Sequence, residues 1–289
     1  MAISAAEVKK LRDQTGAGMM DCKAALEEAN GNFDEATTIL RKKGLASAAK
    51  KAGRATSEGL IGNEVSADHR NGVLVEVNCE SDFVARTDDF QQLIKNIIAE
   101  INKAGDAATE AWLKDPSGPV YPLVAAAIGK LGENMAVPRF VRYDGQGYVG
   151  QYIHLGGKLG VQVEFSGVSA DLGARDEFVA LVKEIAMQIA AASPSYASRS
   201  EVPADVLDKE KAIYRGQMEG SGKPANVIEK IVEGKLGSFY SQVVLGDQPS
   251  IRDPKMSVND VITAANKALG ATIAVTRFAR LKVGETATA

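Results

Sequence analysis

The side chains that could do chemistry are few and scattered. His69 and His154 are the only histidines, and no metal-ligand spacing relates them. Cys22 and Cys79 are too few for a disulfide framework and also lack ligand spacing. Gly220-Ser221-Gly222-Lys223-Pro224 has the glycines and the lysine of a phosphate loop, but Gln217 and Pro224 break the pattern and no strand precedes it. Nothing points to a nucleophile beside a base, so we expect no catalytic residue, no metal and no cofactor. What remains is Asn78-Cys79-Glu80-Ser81-Asp82-Phe83-Val84, and its chemistry is that of binding. It sets a carboxylate beside a large apolar ring on a connection, and connections run over the surface. Phe83 has two readings: a satellite of the core under the loop, or a ring presented at the domain rim.

That stretch is held between a strand, with Val73, Val75 and Val77 on one face, and a strongly periodic helix. The same arrangement occurs twice. Gly59-Leu60-Ile61-Gly62 returns as Gly147-Tyr148-Val149-Gly150, and Gly72-Val73-Leu74-Val75-Glu76-Val77 as Gly160-Val161-Gln162-Val163-Glu164-Phe165, both 88 residues on. The helix face Phe90, Leu93, Ile94, Ile97, Ile101 matches Phe178, Leu181, Val182, Ile185, Ile189 at that offset. Burying such a face stabilises each copy by on the order of 10 kcal/mol before entropy, at about 2 kcal/mol per large side chain. A further strand, Leu131-Gly132-Glu133-Asn134 to Arg142, matches Leu269-Gly270-Ala271-Thr272 to Arg280, but 138 residues on. The spacing therefore predicts a duplicated α+β core with antiparallel sheets, and about fifty inserted residues in the second copy. These are expected to form an antiparallel helical hairpin, Val206, Leu207, Ile213, Tyr214 and Met218 facing Val227, Ile228, Ile231, Val232, Leu236 and Phe239.

Before the core, three short helices make a small bundle with a thin core: one capped by Ser4 and Glu7, one from Met19 to Ala29, and one from Asn32 closing at Gly44. At most one of Met19 and Met20 can face that core; the other is a chance exposed side chain or part of a partner-binding surface. Residues 41–54 hold Arg41, Lys42, Lys43, Lys50, Lys51 and Arg54 without an acid or an aromatic, which reads as a solvated helical linker, with RNA contact as the alternative. The expected division is 1–54 (helical docking module and basic linker), 55–143 (first core half), 144–193 with 244–284 (second half), 194–243 (hairpin) and 285–289 (tail).

Composition restricts the class further. The chain has 289 residues, 45% hydrophobic and 25% charged, ordinary globular values that exclude global disorder. A net charge of −3 gives no overall footprint for nucleic acid. With no run of 18 apolar residues and no signal-peptide core, a soluble cytoplasmic protein without membrane contact is expected. Positions that differ between the two copies point to function, since shared ones are explained by the fold. Asp82-Phe83 stands opposite Ala170-Asp171, and Glu133-Asn134 opposite Ala271-Thr272.

Thr15-Gly16-Ala17-Gly18-Met19-Met20-Asp21-Cys22-Lys23, Glu76 to Val84 and Gly132-Glu133-Asn134 resemble the elongation factor Ts family, guanine-nucleotide exchange factors for elongation factor Tu. The likeness runs nearly the full length, to Val283-Gly284. It implies that the N-terminal bundle, similar to ubiquitin-associated domains, docks on the partner's nucleotide-binding domain through residues such as Met19 and Met20. It further implies that Ser81, Asp82, Phe83 and Val84 dislocate the partner's magnesium ion. Leu131, Gly132, Glu133, Asn134 and His154 would line the same contact. The implied partner is elongation factor Tu, GDP-bound or nucleotide-free, with a possible homodimer through the hairpin and no direct nucleic-acid binding. Ser81 stands where many members have Thr. The sequence ends at Thr286-Ala287-Thr288-Ala289, where longer members add a C-terminal helix, so any contact made by that helix is expected to be absent. Two other classes compete: an RNA-binding accessory protein using 41–54, tested by salt-dependent RNA binding, and an enzyme using His154, tested by turnover lost in His154→Ala.

Overall fold

Local signals in the first fifty residues set three helices. The computed structural model describes residues 3–145 and 147–285, so four of the five tail residues, 286–289, lie outside it. In helix α1 (Ala5–Thr15) the Ser4 hydroxyl accepts the Glu7 N–H, and the Glu7 carboxylate accepts the Ser4 N–H at 2.8 Å. Helix α2 (Met19–Glu28) follows the left-handed Gly16, and Asn32 caps α3 (Phe33–Lys51) through the N–H groups of Asp34 and Glu35. Val8, Leu11, Cys22, Ala25, Leu26, Ala29 and Ala36 are buried together, a core of mostly small side chains.

The first half then runs β1 (Glu58–Val65), β2 (Asn71–Cys79), α4 (Asp82–Ala85), α5 (Asp88–Ala104), α6 (Glu110–Lys114), α7 (Val120–Leu131) and β3 (Met135–Asp144). The second runs β4 (Tyr148–Ile153), β5 (Leu159–Ser166), α8 (Ala170–Gly173), α9 (Asp176–Ala192), α10 (Ala204–Gly216), α11 (Ala225–Val243), α12 (Val258–Leu269) and β6 (Ala274–Lys282). Each half has one antiparallel three-stranded sheet, in the orders β1-β2-β3 and β4-β5-β6. The fold is α+β, and the duplication holds to the residue: α8 and α9 begin and end 88 positions after α4 and α5, and α12 begins and ends 138 after α7. The repeated glycines have a packing reason. A Cβ at Gly62 would lie 2.1 Å from Ile94 Cγ2, and one at Gly150 would lie 2.2 Å from Val182 Cγ1, so each makes room for the helix above it.

One expected boundary is corrected. The third helix does not close at Gly44 but continues to Lys51, taking most of the basic segment with it. Gly44 and Gly129 of α7 face one another: a Cβ on Gly129 would sit 3.4 Å from the Gly44 Cα, and one on Gly44 3.4 Å from the Ala125 carbonyl oxygen. This close backbone approach offsets the cost of about 1 kcal/mol of a glycine inside a helix. A second finding concerns β2. Its alternation predicts one buried face, yet Gly72 to Cys79 is buried throughout. Helix α5 covers Val73, Val75 and Val77, while the other half covers Leu74. There Asn63 donates to Gln151, its own counterpart in the duplication, and Gln151 donates to the Val73 carbonyl.

The inserted helices are thinner than expected. No residue of α10 is buried, and Ile213 and Val227 are exposed; Val232, Leu236 and Phe239 of α11 carry the packing. At the base the Ser195 N–H donates to the Val243 carbonyl at 2.8 Å and the Leu245 N–H to that of Tyr196 at 2.8 Å, so chain entry and exit lie side by side. The hairpin's apolar cluster, with Val202 and Val244, is separate from that of the second half. Replacing 197–240 by a short Gly/Ser loop should therefore leave a folded two-half core. Thermal unfolding followed by circular dichroism checks this; loss of a cooperative transition would show the hairpin to be integral.

Candidate partner-binding site

The 78–84 stretch leaves the sheet at Cys79, the end of β2, and turns into α4. Ser81 is the N-cap of that single turn, its Oγ accepting the Val84 N–H at 3.4 Å. The same serine donates its N–H to Glu133 Oε2 at 2.9 Å and its hydroxyl to Glu133 Oε1 at 2.6 Å. A second, crossed bond runs the other way: the Asn134 N–H donates to Glu80 Oε1 at 2.6 Å. Asn134 also donates its amide to the Arg54 carbonyl at 2.8 Å, and the Arg54 guanidinium lies 3.4 Å from Glu80. The Asn134 N–H and the Arg54 charge hold the Glu80 carboxyl below the usual carboxylate range. The Cys79 thiol donates to the Ser81 carbonyl, and burial, then the Glu133 charge, push it up to about 11, so it stays protonated at neutral pH.

From this braced turn Phe83 stands out, with 80% of its surface exposed. Its neighbours do not follow it. Val84 packs against the core, Ala85 is buried, and Asp82 is paired with Arg86 at 2.7 Å. In the segment Leu131-Gly132-Glu133-Asn134, Leu131 is half-buried and Gly132, left-handed at the end of α7, is exposed. The Glu133 carboxylate is turned inward to Ser81, and Asn134 is buried. His154 is exposed, its Nδ1 sharing a 2.9 Å hydrogen bond with the Tyr152 hydroxyl. The turn beginning at His154 abuts β1: the Ile61 N–H donates to the Gly157 carbonyl at 2.8 Å, and Lys158 is paired with Glu58. Since Glu58 lies opposite Cys79, that turn flanks the sheet end from which Phe83 emerges. Met19 and Met20 both face solvent, at the start of α2.

Arg54 and Glu80 belong to the brace; the sequence places one in the basic segment and the other in the 78–84 stretch, but gives no sign that they meet. His69 is explained by the fold. Its ring stacks on Tyr148 at 4.3 Å and its Nδ1 bonds the Val149 carbonyl, joining the two halves. Within the basic segment, Lys43 pairs with Asp21, and Lys51 reaches the Ile128 carbonyl. Among the described residues no cluster of three or more His, Cys, Asp or Glu is placed to hold a metal ion, and no helix is long and apolar enough to cross a membrane.

The class is thus a duplicated α+β scaffold that presents one aromatic ring from a cross-braced turn. Comparison with known proteins gives that class its family. The model described as Elongation factor TS matches residues 80–285. Elongation factor Ts of Trichlorobacter lovleyi is 45% identical over 291 residues, covering 99% of this chain and 94% of the relative. That of Aquifex aeolicus is 44% identical (98% and 99%), and that of a Nitratiruptor species 46% (99% and 94%). The chain belongs to the elongation factor Ts family of translation elongation factors.

Proposed function

We propose that the protein binds elongation factor Tu carrying GDP and promotes GDP release by disturbing the partner's magnesium and phosphate site, so that GTP can bind. The observation that carries this reading is Phe83, 80% exposed on a turn whose backbone is fixed from two sides. A GTPase holds its nucleotide through a phosphate-cradling loop and a bridging magnesium ion. A protein that binds the nucleotide-free form more tightly must, by linkage, weaken the nucleotide by the same factor. An aromatic wedge that displaces the segment positioning magnesium does this with no proton transfer and no covalent step, and so without catalytic residues of its own.

In this reading residues 1–54 dock the chain on the partner, 55–143 carry the wedge, and 144–193 with 244–284 complete the core and supply His154. The hairpin, 194–243, exposes Ile213 and Val227 and is the surface for a homodimer. The protein acts in the cytoplasm. The test is release of labelled GDP from elongation factor Tu with and without this chain. An unchanged release rate, with strong salt-dependent RNA binding by the isolated protein, would replace the reading by RNA binding.

The exposed methionines give a separate check. Met20 is 75% exposed, so Met20→Ala should lower the melting temperature little while weakening the complex by roughly five- to tenfold, the worth of one apolar anchor at an interface. Calorimetry of the complex reads the affinity. A large stability loss with normal affinity would assign Met20 to folding.

A further inference from the structure

We infer that Glu133 is a positioning residue: it holds the Phe83 turn in its presenting form and acts on a partner only through that ring. The inference rests on the exchange-factor reading above. Glu133 does not offer its charge outward, since Ser81 takes both carboxylate oxygens, at 2.9 and 2.6 Å. The object held is a helix of four residues, far too short to persist by its own hydrogen bonds. The Ser81 hydroxyl donates to Glu133 and so turns a lone pair toward the Val84 N–H, which fixes the first turn beneath Phe83.

The second half supplies an internal control. Ser169 caps α8 through the Leu172 N–H at 3.2 Å, as Ser81 caps α4, and the turn forms. Yet Ala271 stands where Glu133 would be and Asp171 where Phe83 would be. The fold therefore makes this turn on the serine cap alone, and in the first half the carboxylate adds a second restraint to it. Glu133 is only partly buried and both its oxygens are hydrogen-bonded, so its inward turn carries little cost, and the other half shows that folding of the turn does not require it. Carboxylate and ring occur together in one half and are both replaced in the other. A brace whose purpose is the ring has that pattern.

The test is labelled GDP release from elongation factor Tu over a concentration series of the full chain and of Glu133→Ala, Glu133→Gln, Phe83→Ala and the Phe83→Ala/Glu133→Ala double variant. Glu133→Ala should lower the maximal rate about tenfold, as misplacement of a working group does, and leave the half-saturating concentration within about twofold. Glu133→Gln can still accept the Ser81 N–H and donate to its Oγ, and should restore most of the rate. Added to Phe83→Ala, the alanine at 133 should change nothing further. In the free protein, hydrogen exchange at the Ser81 and Val84 amides should be faster in Glu133→Ala than in the unsubstituted chain. A wild-type rate for Glu133→Ala overturns the inference, as does unchanged amide exchange. A further loss on top of Phe83→Ala overturns it in favour of a direct contact. If the unsubstituted chain does not accelerate release at all, the exchange reading falls and this inference with it.

Discussion

Phe83→Ala should fold like the unsubstituted chain and lose most of its ability to release GDP. The two outcomes separate because the ring is 80% exposed. Removing it from the free protein gives up little burial, and the expected stability change is below about 1 kcal/mol; a core phenylalanine would cost about 3–5 kcal/mol. On a partner the same ring would be buried and would contribute roughly 2–3 kcal/mol to the distortion. At 1.4 kcal/mol per tenfold, that predicts on the order of a 30- to 100-fold slower release. Asp82→Ala should act in the same direction but more weakly, because its carboxylate is already paired with Arg86 at the surface. Asp171→Ala, the matching change in the other half, should leave release nearly untouched. Stopped-flow release of labelled GDP, with melting curves for each variant, checks all three. Equal losses from Phe83→Ala and Asp171→Ala, or a badly unfolded Phe83→Ala protein, would break the assignment.

The largest effect on stability is expected at Glu76. Glu76 is 2% exposed and accepts the Arg139 Nε–H at 2.7 Å and the Gly284 N–H at 2.8 Å. Arg139 lies on the neighbouring strand with its side chain 14% exposed. Glu76→Ala would leave a mostly covered guanidinium without its counter-charge, held only by the Lys282 carbonyl at 3.0 Å, and orphan a backbone donor, and should cost about 3 kcal/mol. The duplication repeats the pair as Glu164 and Arg277 at 2.6 Å, but under different conditions. Arg277 is 44% exposed and stacks over Tyr143 at 4.1 Å, and the second oxygen of Glu164 finds no partner among the described residues. Glu164→Ala therefore releases a cation that water and an aromatic face can still solvate, and should cost clearly less. Urea midpoints of the two variants decide the order. Equal losses would show that both pairs owe their worth to the strand pairing and not to burial.

Much of this fold was legible because side-chain periodicity is a local property. Apolar residues three and four apart define a helix face whatever lies above it, and the 88- and 138-residue offsets then marked two copies and an insertion. The candidate site was singled out by the sequence too, since Asp82-Phe83 and Glu133 are replaced in the second copy. Its state was not. Whether Phe83 is core or presented depends on what covers it, and spacing along the chain does not say. The inward turn of Glu133 depends on a residue 52 positions away, and the full burial of β2 depends on the other half, through Asn63 and Gln151, 88 positions apart. Gly44 is the sharpest case. By propensity it ends a helix, and it stays inside one because Gly129, far along the chain, lets two backbones approach. Periodicity by itself determined which residues share a face; contacts between distant segments decided which faces are covered, because burial is set by whatever packs on top and not by neighbours in sequence.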